Sequence, residues 1–182
     1  MYMKARYRNV NKNAKIFILE IIMNCGSSGY AGSPHPSRSF LVKAINGLEK
    51  TTATGTGNTA GFINALNHMA ATGGRNSTTY IQCGTGTTAA TEDDYRLESV
   101  PTGLNCESVV TAVGNNYSKT YTAIFSNTTN ADIIVTEIGF FITYPTTGDS
   151  SVDYYLLDRT VLTTPITIPA GESKAITYEL GF

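Results

Sequence analysis

The sequence predicts a mainly β protein: an antiparallel β-sandwich, jelly-roll or Ig-like, behind a short N-terminal extension that contains one to three small helices. Three observations predict it. The run Ile133–Tyr144, IIVTEIGFFITY, is rich in β-branched and aromatic residues and has no helical spacing. About six runs of this kind lie between residues 80 and 182, separated by Gly, Asn and Pro turn clusters at regular intervals. The charged fraction is 15%, low beside the roughly 25% usual for soluble domains, with Thr, Ser, Asn and Gly making up the difference.

These patterns divide the 182 residues into an arm and linker over 1–36, a short helical segment over 37–79, and the sandwich domain over 80–182. Within Ile133–Tyr144, period-two alternation assigns Ile134, Thr136, Ile138, Phe140, Ile142 and Tyr144 to the core. The odd positions, with Val135, Glu137, Gly139 and Phe141, fall on a half-polar face. Gly139 predicts a bulge or the close approach of another backbone. This is the expected central strand.

In chain order, residues 1–15 carry Lys4, Arg6, Arg8, Lys12 and Lys15 with Tyr2 and Tyr7 between them; the pattern suits an acidic partner surface or nucleic acid, and a solvated tail ordered only by a neighbour is the favoured reading. The apolar run Ile16–Met23 followed by Cys25 imitates a lipoprotein leader. Glu20 inside it, its shortness and the bulky Met23 and Asn24 favour a mature terminus, and the run is too short to span a bilayer. Gly26–Pro36 has linker chemistry, and His35 between two prolines reads as a turn residue. Phe40, Leu41, Ala44, Ile45 and Leu48 recur at helical spacing and predict a helix over about 38–49, weakened by Gly47. Thr51–Gly61 contains GxG without the strand, third glycine or Gly-Lys-Ser/Thr that a nucleotide loop needs, so it reads as a plain loop. Phe62, Leu66, Met69 and Ala70 predict a second short helix, stopped by Gly73 and Gly74, with His68 on its flank.

Expected strands follow at Tyr80–Gly84, Cys106–Val113, Tyr117–Phe125, Tyr154–Leu162, Ile166–Ile168 and Lys174–Phe182. Gly114–Asn116 turns one hairpin, and Pro169–Ser173 turns a second between Ile166–Ile168 and the last strand. Tyr121, Ala123 and Phe125 share a face, as do Ile176, Tyr178 and Leu180. Tyr154, Leu156 and Leu162 oppose Tyr155, Leu157 and Val161.

Chemistry is sparse. Cys25, Cys83 and Cys106 are odd in number and widely spaced, which excludes a zinc site built from cysteine pairs and predicts reduced thiols. Glu92, Asp93 and Asp94 are consecutive, whereas calcium loops space their oxygens at alternate residues. After Thr91 they resemble the start of a single helical turn. Two isolated histidines and scattered carboxylates supply no catalytic neighbourhood, so no catalytic, cofactor-binding or metal residue is expected and no cofactor is assigned. The net charge of −1 gives no basic footprint for nucleic acid. The sequons at Asn76, Asn116 and Asn127 are what chance supplies in an Asn/Thr-rich chain.

Five pieces, in order, resemble a module found in virion structural proteins of tailed bacteriophages. They are GTGTTAATEDDYRLE at Gly84–Glu98, FSN at Phe125–Asn127, EIGFF at Glu137–Phe141, LLDRTVL at Leu156–Leu162, and PITIPAGES at Pro165–Ser173 with ITYEL at Ile176–Leu180. The resemblance covers about the last hundred residues. It implies a small β-sandwich used for assembly in a tail, neck, fibre or head-decoration position, with no catalytic residues, in a virion made in the host bacterial cytoplasm. The partners it implies are other copies of the chain and other virion proteins, without a membrane. The expectation is therefore a non-enzymatic subunit of a symmetric oligomer. The alternative is a host-surface glycan-binding or receptor-binding fibre module using tyrosine-rich loops such as Tyr144–Tyr155. An enzyme using Glu92 or Asp94 ranks last.

Overall fold

A strand with one apolar face needs a second apolar surface, and the chain supplies it by building two sheets that share a core. The computed structural model describes residues 2–5, 39–53, 79–111, 118–145 and 152–181. The strands are β1 (Tyr2–Ala5), β2 (Ser39–Lys43), β3 (Glu49–Ala53), β4 (Thr79–Gly84), β5 (Leu104–Thr111), β6 (Ser118–Asn127), β7 (Ile133–Pro145), β8 (Val152–Ile168) and β9 (Ser173–Gly181). The described part is mainly β and holds no helix. One sheet has the order β1-β9-β6-β5, a second β4-β7-β8, and β2 and β3 form a separate ribbon. All pairs are antiparallel except β1 with β9.

Tyr121, Ala123 and Phe125 of β6 and Ile176 and Tyr178 of β9 lie in one buried cluster with Ile81 and Cys83 of β4, Ile138, Phe140 and Ile142 of β7, and Tyr155 and Leu157 of β8. Phe140 is its hub, with its ring 4.8 Å from Tyr121 and 5.9 Å from Tyr178, the latter stacked. Each such aromatic, fully removed from water, contributes roughly 1.5–3 kcal/mol. β7 is central in its sheet, as its sequence predicts.

Its facing differs from simple alternation. Ile133 and Val135 are buried in the shared core while Ile134 is 54% exposed. Beyond Thr136 the even residues Ile138, Phe140 and Ile142 take over. The cause is a register shift between Val135 and Glu137, where β8 steps from Ile166 to Val161 and inserts extra residues. A bulge of this kind moves every later side chain to the other face. Pro165 lies in that insertion, where no ladder hydrogen bond is demanded of its nitrogen. A second shift opposite Phe140 and Phe141 flips β8, so Tyr155 and Leu157 face the shared core but Leu162, Ile166 and Ile168 do so afterwards. The expected grouping of Leu156 with Leu162 is therefore corrected: Leu156 lies on the opposite face with Phe141 and Leu97.

Two further expectations change. Over 38–49 the predicted helix is replaced by the β2–β3 hairpin, which turns at Ala44–Leu48. Gly47 adopts φ 83, and the Asn46 side chain accepts a hydrogen bond from Leu48 N at 3.0 Å. Asn-Gly at the tip is hairpin chemistry, and it outweighs the helical spacing of the flanking apolar residues. The expected hairpin over 166–182 is not paired: β8 and β9 belong to different sheets, and the Pro169–Glu172 turn carries the chain across, with Gly171 at φ 70. The second expected helix, over 62–70, and the run Ile16–Met23 lie outside the described residues.

Candidate functional site

Charged residues inside apolar strands are costly unless paired, and β7 and β8 place theirs on the face opposite the shared core. Glu137 and Arg159 meet there, both almost fully buried. Arg159 Nε donates to Glu137 Oε2 at 2.6 Å, Nη1 donates to Asp94 Oδ2 at 2.9 Å, and Nη2 donates to the Thr88 carbonyl at 3.0 Å and to Glu98 Oε2 at 3.5 Å. Glu137 also accepts from the backbone N–H groups of Gly86 (3.0 Å), Glu98 (3.2 Å) and Ser99 (2.9 Å). Between them the two side chains hold the whole segment 85–99 against the sheet.

The segment is shaped to be held. Glu98 accepts from the N–H groups of Thr87 and Thr88 and from the Thr88 hydroxyl, at 2.8–2.9 Å. Asp94 accepts from Thr91 N at 2.9 Å and from the Thr91 hydroxyl at 3.0 Å. Thr136 donates its hydroxyl to the Gly86 carbonyl at 2.8 Å. Gly86 is required by space: a Cβ there would stand 2.5 Å from Glu137 Oε1 and 2.5 Å from Glu98 Cβ. Leu97 is inserted beneath this polar layer against Phe141 and Leu156. A Cβ on Gly139 would come 2.8 Å from Leu97 Cδ2, so the glycine is needed for a side chain rather than for the approaching backbone that its sequence context suggests.

The electrostatics agree with the geometry. Burial pushes the Asp94 carboxyl up, but hydrogen bonds from Thr91 N–H and Arg159 outweigh it and hold its pKa below the ordinary value. The Thr88 N–H, first among several donors, lowers that of Glu98. For Arg159 burial opposes the charge, yet bonds to Asp94 and Glu137 raise its pKa. Asp94, Glu98 and Arg159 are thus all shifted towards their charged forms.

Asp94 thus enters the cluster, while Glu92 and Asp93 stay at the exposed surface. Thr91 does begin a tight turn, closed by Asp94 N to the Thr91 carbonyl at 3.4 Å. Among the described residues no group of three His, Cys, Asp or Glu is placed to hold a metal ion. Burial pushes the Cys83 thiol far up, which makes it inert. His35, His68, Cys25 and residues 54–61 lie outside the described residues, as do residues 146–151 of the Tyr144–Tyr155 stretch, whose ends belong to β7 and β8. At its end Tyr155 is wholly buried, which removes it as a sugar platform, and Tyr154 is 42% exposed.

A second polar knot surrounds Asn127, the last residue of FSN. Its Nδ2 donates to the carbonyls of Ala131 (2.7 Å), Ile168 (3.0 Å) and Pro169 (3.2 Å), and its Oδ1 accepts from Thr129 N (2.9 Å) and the Thr129 hydroxyl (2.7 Å). This amide is buried and fully engaged, so the sequon at Asn127 has no room for a glycan in the folded chain.

Sequence reasoning missed Glu137, Arg159 and the structural use of Asn127. The signal was present in the first two: a charged residue inside IIVTEIGFF and another inside LLDRTVL, each too deep in an apolar run to be a solvated face. No family model, no curated protein and no solved structure matches the chain.

Proposed function

We propose that the chain is a non-enzymatic structural subunit of a tailed-phage virion, a β-sandwich that assembles as a symmetric oligomer through its sheet domain and its N-terminal arm. One observation carries this reading. Three buried polar residues of the pieces that resemble the phage module hold the fold: Arg159 engages three carboxylates and a carbonyl, Glu137 four donors, and Asn127 five donor or acceptor groups. An active site keeps polar groups unsatisfied until substrate arrives, whereas a rigid scaffold satisfies them internally. The shared core between the two sheets supports the sandwich architecture.

The test is to locate the chain in a density map of an intact particle, together with light scattering of the purified full chain over a wide concentration range. The reading expects a ring or other closed oligomer and a place in the particle. A chain that stays monomeric at every concentration and has no density in any particle overturns it. So does hydrolysis of peptidoglycan or polysaccharide by the purified chain that Asp94→Asn abolishes without unfolding it.

A further inference from the structure

We propose that β1 is an exchanged strand: Tyr2–Ala5 of one copy adds to the β9 edge of a neighbouring copy, against Thr177–Leu180. The inference rests on the assembly reading above and names the contact through which the arm would act. β1 makes the only parallel pair among the described strands, with Lys4 in register with Glu179. Parallel neighbours cannot be joined by a tight turn and require a crossover. Here residues 6–38 separate β1 from β2, which belongs to a different sheet. At about 3.3–3.6 Å per residue such a stretch reaches roughly 110 Å when extended. A domain of this size has a radius of gyration of roughly 16 Å. The tether therefore permits β1 to seat on another copy as readily as on its own.

Charge favours the same contact. Lys4, Arg6, Arg8, Lys12 and Lys15 occupy the first fifteen residues without an acid, while the rest of the chain carries eight Lys and Arg against fourteen Asp and Glu. The arm is drawn to the body of any copy, and Glu179, buried in β9, lies at the register position of its first cation. Among the described strands β9 is hydrogen-bonded, beyond β1, only to β6, so the strand that covers this edge decides whether it is paired or bare. Exchange replaces each intramolecular pairing by an identical intermolecular one and so costs little beyond association. In a ring, each copy gives one strand and receives one.

The test uses full-length chains with Cys25→Ser and Cys106→Ser. A tagged chain carrying Tyr2→Cys is co-expressed with an untagged chain carrying Thr177→Cys, the two positions being register partners. Mild oxidation is expected to give a tagged–untagged disulfide dimer on a non-reducing gel, and a single chain carrying both substitutions is expected to give a ladder of covalent oligomers. If light scattering shows an oligomer but the doubly substituted chain only closes on itself, or no cross-link forms, strand exchange is wrong and the assembly reading stands. If the chain is monomeric by light scattering at all concentrations, the assembly reading falls and takes exchange with it.

Discussion

Asp158 and Arg159 are adjacent in sequence and opposite in fate. Arg159 points to the outer face of β7 and β8, where Glu137, Asp94, Glu98 and a backbone carbonyl surround it. Asp158 points into the space between the two sheets, where it accepts from the Tyr178 hydroxyl and, at 3.4 Å, from that of Thr160. Both are buried. Among the described residues only Arg159 has opposite charges within reach, and the difference appears in their titration. Burial drives the Asp158 carboxyl up to about 6, against the hydrogen bonds that favour its charge. One strand thus carries a compensated charge on one face and an uncompensated one on the other. Burial alone does not say whether a charged residue stabilises a fold; its partners do.

The largest expected effect is on the compensated side. Arg159→Met leaves Glu137 buried with no cation, and loss of one partner of such a pair costs about 3–5 kcal/mol. Urea unfolding should show that drop. Adding Glu137→Gln should recover part of it, because the orphaned charge is then gone. A loss below about 1 kcal/mol for Arg159→Met, on the scale of a surface ion pair, would erase the contrast with Asp158.

Next comes the uncompensated side, where the signature is in pH. The folded-state pKa of Asp158, about 6, lies above its ordinary value of 3.8. Below the lower value both states hold the proton and the full stability is present. As pH rises towards the folded value the unfolded chain ionises first, so stability falls, by up to about 3 kcal/mol from a shift of this size, and levels off beyond it. Asp94 and Glu98 have lowered values and act with the opposite sign, losing stability only as pH falls through their folded pKa. Unfolding measured between about pH 5 and 7, above the ordinary values of Asp94 and Glu98, therefore reads mainly Asp158. Asp158→Asn should flatten the slope in that window, and an unchanged slope would place the titrating group elsewhere.

Asn127 tests whether a neutral knot behaves like the charged one. Asn127→Ala removes a donor to the buried Ile168 carbonyl and frees the 128–131 turn, at a cost of about 2 kcal/mol, in the range for unsatisfied buried groups. Asn127→Asp, which cannot donate, should cost at least as much in chemical denaturation. If it were neutral, Nδ2 would not be the atom that ties the two turns together.

How far these contacts could be read from the chain depends on their range. Strand existence was legible because alternation and Asn/Gly turns are local: Ile133–Tyr144 is the central strand, and Tyr121, Ala123 and Phe125 share the core face. Facing was legible only beyond the first bulge, where Ile138, Phe140 and Ile142 enter the core as alternation predicts, and not before it. Nothing within Val135–Glu137 announces the residues inserted opposite it on β8, so Ile134 was assigned inward and is exposed. The hairpin at Ala44–Leu48 has a local signal in Asn46-Gly47, but the apolar spacing around it fits a helix equally well. The clasp is longer in range still: Arg159 and Asp94 are 65 residues apart, and only the fold brings them together.

The smallest expected effect probes how stiffly the clasp holds what lies beneath it. A methyl on Gly139 would stand 2.8 Å from Leu97 Cδ2, 2.8 Å from Phe141 Cε2 and 3.0 Å from Leu156 Cδ1. Phe141 and Leu156 belong to paired strands and cannot retreat far, whereas Leu97 rides on the segment held by Glu137 and Arg159. If the clasp is rigid, Gly139→Ala overpacks the site and costs about 1–2 kcal/mol. If Leu97 yields, the cost is smaller but strain passes into the clasp, and the amides of Gly86 and Ser99, both donors to Glu137, should exchange faster with solvent. Shortening the plug by Leu97→Val should relieve Gly139→Ala while itself costing stability. The same pair of substitutions should leave the pH slope assigned to Asp158 untouched, since that carboxyl faces the other side of the sheet. A change in that slope would mean that the two faces of β8 are coupled through the strand and do not act as separate regions.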